Sequence, residues 1–174
     1  MSVLTLAEAK THLNLTGSTH DTELQDAIDS AESVIAKRVG PLASTATAVR
    51  VRGMCSALVL PVLPAISLTS VTGAGGAALT LADLYLDTAS GLVTYDDGSA
   101  FSERYYDVVY AAGRGTCPDD LLLAVKELVR WLWQPQRGPK ARGTADQETP
   151  TGLGYLLPYR VEQLIQPHIQ PGFG

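Results

Sequence analysis

Cysteine is scarce in this chain: Cys55 and Cys117 are the only two among 174 residues, and neither stands in a CxxC pair. That excludes a disulfide framework and leaves two buried or free thiols as the expectation. Charge is thin as well, at 18% of residues, and its formal balance is −5. A dedicated nucleic-acid binder carries a basic field, so that class is disfavoured, while a protein that surrounds DNA without gripping it is still allowed. A surface with few charges suits contact with other proteins. No apolar run is long enough to cross a bilayer, because the longest, SALVLPVLPAISL, is broken by two prolines. The opening residues, MSVLTLAEAK, lack the basic-then-apolar pattern of a secretory signal. These absences together predict a soluble protein made in the cytoplasm, with no membrane contact.

Signatures of chemistry are equally sparse. GAGG at 73–76 is the one candidate phosphate cradle, but no lysine and Ser/Thr follow it into a helix, so it reads as a hairpin turn. Asp96-Asp97-Gly98 and Asp119-Asp120 read as a turn and a helix start, with no third carboxylate at a metal-binding spacing. His12, His20 and His168 fall in a helix, a loop and the tail, and no GxSxG-type nucleophile motif occurs. Trp131 and Trp133 lie on an apolar helix and suit a core or a subunit interface. Arg137, Lys140 and Arg142 fit a solvated loop. The expectation is a protein with no catalytic residue, no cofactor and no metal.

What the chain does have is a 45% apolar composition, enough for one ordinary folded domain with an appendage. Thr5 and Glu8 form a capping box for a helix over 5–13. Leu24, Ile28, Ala31 and Ile35 recur at helical spacing, which predicts a helix over 21–39 with Asp21 as N-cap and Gly40-Pro41 as its stop. These two make a helical hairpin. Residues 47–112 change period: short alternating or apolar runs at 48–52, 58–60, 66–72, 84–87, 92–95 and 105–111 are separated by turn residues, as in an antiparallel β module. Pro118-Asp119-Asp120 then opens a strongly apolar helix over 119–134, ended by Pro135. The fold class expected is α+β: a small helical bundle with an inserted antiparallel β module and an extended C-terminal tail. The divisions are a core over 1–134, a linker over 135–152, and a tail over 153–174 whose Val161, Leu164 and Ile165 share one helical face.

The order of these parts resembles the head–tail connector, or adaptor, family of tailed phages, also called gp6-like. The likeness is carried by LTLAEAKTHLNL, DTELQDAIDSAESVIAKRVG, the strands around LPAISLTSVT and LYLDTASGLVTYDDG, the YAAG turn at 110–113, and PDDLLLAVKELVRWLW. It implies a structural virion protein at the neck. Such adaptors form a ring, usually of twelve copies, beneath the portal protein, extend the DNA channel and receive the next neck or tail component. DNA would pass through without specific binding. The family's C-terminal segment docks on the portal, which marks Leu156, Leu157, Tyr159, Val161, Leu164, Ile165, Ile169 and Phe173 as candidate docking residues. Packing of that tail on its own core is the alternative. Asp26, Asp29 and Glu32 are candidates for lining the channel with charge that repels the DNA backbone. Another neck or tail-completion protein is the nearest rival reading, and a small enzyme or ligand-binding domain with a dispersed site is a more distant one.

Overall fold

A computed structural model describes residues 2–137 and 157–169, with side chains to 133 in the first stretch. The expected linker and Leu156, Phe173 and the rest of the tail from 170 therefore lie outside the described residues, apart from 135–137. The chain divides into two compact units, one formed by Met1–Val39 with Pro118–Gly174 and the other by Gly40–Cys117. The β module is thus an insertion between helices, and the architecture is α+β.

The helical unit holds α1 (Leu6–Leu13), α2 (Asp21–Val39), α3 (Asp119–Arg137) and α4 (Tyr159–Ile165), the last followed by a 3-10 turn, Gln166–His168. At α1 the capping box forms: Thr5 Oγ1 accepts from the Glu8 amide, and the Glu8 carboxylate accepts from the Thr5 amide at 3.0 Å. Two orphan amides at the helix start are satisfied in this way. Along α2 the buried residues are Leu24, Ala27, Ile28, Ala31, Ile35 and Val39, the stripe that the spacing predicts. Asp21 is corrected from cap to first helical residue. The His20 carbonyl already accepts from the Leu24 amide at 3.0 Å, so the chain enters the helix one residue earlier, and the Asp21 carboxylate pairs with Lys10 of α1. Gly40, at φ +82, ends α2 in the left-handed conformation expected of it.

On α3, Leu121, Ala124, Val125, Leu128, Val129 and Trp133 are buried, whereas Arg130 and Trp131 are exposed. The helix runs two residues past Pro135 to Arg137, which corrects the expected stop. Proline removes only its own amide and crowds the turn before it, so residues after it can keep helical dihedrals at a helix end.

The inserted unit contains six strands: β1 (Thr45–Arg52), β2 (Ala57–Val59), β3 (Ala65–Gly73), β4 (Leu84–Asp87), β5 (Leu92–Tyr95) and β6 (Tyr105–Ala112). They form two antiparallel three-stranded sheets, ordered β1-β6-β3 and β2-β5-β4. Alternation along β6 sends Tyr106, Val108, Tyr110 and Ala112 inward, where they join Val51, Leu58, Leu60, Val71, Val93 and Phe101 in one apolar core. Phe101 sits between the Tyr95 and Tyr106 rings, at 4.7 and 5.2 Å between centroids. The buried Tyr110 hydroxyl accepts from the Val62 amide at 3.0 Å and donates to the Val62 carbonyl at 3.2 Å, so it carries no unmet polar group into the core. Gly113 closes the YAAG turn at φ +103, and a Cβ there would lie 2.2 Å from the Ala43 carbonyl oxygen. Only glycine fits both conditions.

Candidate functional site

The motifs that resembled chemical sites have structural partners. In the GAGG turn the Gly73 amide donates to the Ala77 carbonyl at 2.9 Å, and the Gly75 amide donates to the Glu103 carboxylate at 2.8 Å. A carboxylate therefore occupies the amide that a phosphate would need. Asp97 accepts from the Ser99 amide and hydroxyl, both at 2.8 Å, and these bonds hold its pKa below the ordinary aspartate value. Asp120 accepts from the Leu121 amide and contacts His168 Nε2 at 2.6 Å. The histidine contact is the main cause of its lowered pKa, opposed by partial desolvation. His20 meets the edge of the Trp133 ring, and His12 lies on α1, so the three histidines do not converge. No group of three or more His, Cys, Asp or Glu side chains that could hold a metal ion occurs among the described residues. Cys55 and Cys117 form no disulfide and are half-buried.

The tail residues separate into two sets. Val161 and Ile165 are 0% exposed, because α4 lays its i, i+4 stripe on α3, with α2 alongside. Two ion pairs, Arg38 to Glu162 at 3.8 Å and Arg160 to Glu127 at 3.4 Å, and the hydrogen-bonded contact of His168 with Asp120 lie around that contact among the described residues. The expectation that Val161 and Ile165 face a partner is corrected for this structure, since an apolar face of the chain's own helix takes them. Leu157 and Leu164 are half-buried. Tyr159, at 75% exposure, and Ile169 remain open to a partner, and Leu156 and Phe173 lie outside the described residues.

The acidic residues of α2 also differ among themselves. Asp26 and Asp29 are exposed, and Asp29 accepts from Gln25 at 2.9 Å one turn back. Glu32 has a structural task instead. Its Oε1 accepts from the Ser2 hydroxyl and from the Val3 and Leu4 amides at 2.7, 2.9 and 3.0 Å, and this seats the buried Leu4. A carboxylate committed to three donors is a poor candidate for repelling DNA across a channel. Asp26 borders a shallow groove of about 270 Å³ with Glu23, Ser30 and Leu132.

One surface escaped the sequence reading. The outer edges of β1 and β2 flank a groove of about 660 Å³ that carries Arg50, Arg52, Met54 and Val59. Alternation at 48–52 marks a strand, but nothing local tells that its outer edge stays open. The one signal available was the pair of arginines on alternate positions, a composition that suits an exposed strand.

No curated protein matches this chain. Structural comparison finds chains of similar fold in gene transfer agent (GTA) particles. One is a chain from the neck of an empty GTA particle computed with C6 symmetry, with a TM-score of 0.68, 20% identity, and coverage of 99% of this chain and 93% of that one. A second comes from the neck of the native GTA particle computed with C12 symmetry, with a TM-score of 0.65, 18% identity, and 99% and 92% coverage. A third, from the virion of a native gene transfer agent particle, gives 0.65, 18%, 99% and 93%. At these identities the likeness establishes the fold. The family model for head completion proteins matches residues 2–170, nearly the whole chain. The architecture is shared with those neck chains nearly end to end and the family model spans almost the whole chain, so the chain belongs to the head completion protein family.

Proposed function

We propose that this protein is an adaptor that forms a ring under the portal, extends the DNA channel and joins the head to the next neck or tail component. The observation that carries the reading is the family match across residues 2–170 together with the fold likeness to neck chains over 99% of the chain. Its mechanism is docking. A ring needs two different complementary patches on each copy, because a cyclic interface is heterologous. Portal binding uses the C-terminal segment through the exposed Tyr159 and Ile169, together with Leu156 and Phe173, which lie outside the described residues. Each large apolar side chain fully buried there contributes roughly 1.5–3 kcal/mol, and many copies on one ring multiply the effect through avidity. Asp26 and Asp29 are the residues proposed for the channel wall, where negative charge keeps DNA from adhering.

The test is co-sedimentation with purified heads that carry a portal and lack this protein. The full chain is expected to co-sediment with these heads and to leave portal-free heads unbound. Tyr159→Ala with Ile169→Ala is expected to weaken the association by about tenfold or more, the outcome for two apolar anchors removed from one interface. Equal binding to portal-free heads would remove the portal from the account and favour a position further along the neck.

A further inference from the structure

The larger sheet ends in two edges that the fold treats differently. Along β3, residues 77–79 turn back over the edge: the Leu79 amide donates to the Val71 carbonyl at 2.8 Å, and Thr72 bridges Ala78. No strand covers the outer edge of β1 among the described residues, and β2 is likewise a terminal strand of the smaller sheet. Open edges of this kind are templates for pairing with another chain. Met54, between β1 and β2, is 73% exposed at φ +58, a conformation rare for a non-glycine residue, and Val59 on β2 is 48% exposed. Beside them, Arg50 is bound to Asp107 by two bonds of 2.7 and 2.8 Å. Arg52 is exposed and has no ion pair among the described residues.

The opposite side of the same unit is complementary. There β4 is the terminal strand of the smaller sheet and pairs only with β5. It carries Tyr85, 59% exposed, and the 3-10 turn Leu81–Asp83 before it presents Leu81 and the exposed Asp83 carboxylate. One side is apolar and basic with an open edge, and the other is apolar and acidic with an open edge.

We infer that the β1/β2 groove receives the β4 edge, with its Leu81–Asp83 turn, of a second copy of this chain. Backbone pairing of the two edges supplies the continuity, Met54 and Val59 pack against Tyr85 and Leu81, and Arg52 meets Asp83. The two patches lie on opposite sides and differ from each other, so the contact is head-to-tail and repeats from copy to copy until it closes. The inference rests on the ring reading given above and names the surfaces that make the ring.

The experiment uses particles assembled with V59C, with Y85C, or with both, each in a C55S/C117S background, because the native Cys55 lines the same groove. Mild oxidation is expected to give a ladder of linked multimers for the double variant only, because each link joins a different pair of surfaces. A V59C variant that cross-links to dimers by itself overturns the head-to-tail arrangement. Absence of linkage in the double variant, with the protein present in the necks, overturns this docking and leaves the ring reading standing. Absence of the unmodified protein from necks removes the ring reading itself. Where a cysteine variant fails to enter particles, charge exchange decides. R52E and D83R are each expected to lower incorporation by about tenfold, and R52E/D83R to recover it. Equal incorporation of all three overturns the proposal.

Discussion

Replacing Ile165 by alanine tests whether α4 is part of the folded unit or a free arm. Ile165 is 0% exposed and shares the contact face of α4 with Val161, which is also 0% exposed. Removing its three outer carbons from a fully buried site costs about 2–5 kcal/mol through lost transfer energy and the cavity left behind. Alanine returns about 0.5 kcal/mol by its better helix propensity, so a net loss of about 2–4 kcal/mol is expected. For a chain of this length each kcal/mol moves the melting temperature by roughly 2–4 °C, which gives a fall of about 5–15 °C. The assay is thermal unfolding by circular dichroism, with amide hydrogen exchange of α4 to locate the loss. Tyr159→Ala is the control: at 75% exposure it should change stability by no more than about 0.5 kcal/mol. If Ile165→Ala and Tyr159→Ala behave alike, and the α4 amides exchange freely in the unmodified protein, the packing of α4 on α3 is refuted.

Glu32→Ala is expected to cost roughly 1–3 kcal/mol, because it leaves the Ser2, Val3 and Leu4 donors without their shared acceptor; Asp26→Asn should cost no more than about 0.5 kcal/mol, and urea titration of the two compares them. Gly113→Ala should lose about 2–4 kcal/mol, since its Cβ would lie 2.2 Å from the Ala43 oxygen at a backbone angle of φ +103; wild-type stability in that variant would contradict the geometry of the YAAG turn. Asp120 has its folded pKa lowered mainly by His168, so its contribution is present above the unfolded aspartate value of about 3.9 and disappears as pH falls through the folded value. A melting-temperature gap between wild type and Asp120→Asn should therefore be open at about pH 6 and close in acid, and a gap independent of pH would show that the His168 contact is unimportant.

Much of the fold could be read from local patterns. The helix over 21–39 and the six strand segments sit where apolar period and turn residues place them, because short-range sterics and one buried face decide both. Thr5 and Glu8 work the same way, since a capping box lies within four residues. The failures are long-range. Glu32 looked like one more acid on a helix face, and its partners lie at residues 2–4, nearly thirty positions away. Val161 and Ile165 showed an apolar face without saying whose surface would cover it, and α3 does so. The open edge of β1 depends on which strand ends the sheet, and strand order is not encoded in alternation.

The place of this protein in an assembled particle is decided by a cryo-EM map of the neck. A closed ring of copies directly beneath the portal is expected, with the inserted β units meeting edge to edge and Tyr159 and Ile169 turned towards the portal. A neck in which another protein fills that position, or in which this chain is absent, would contradict it.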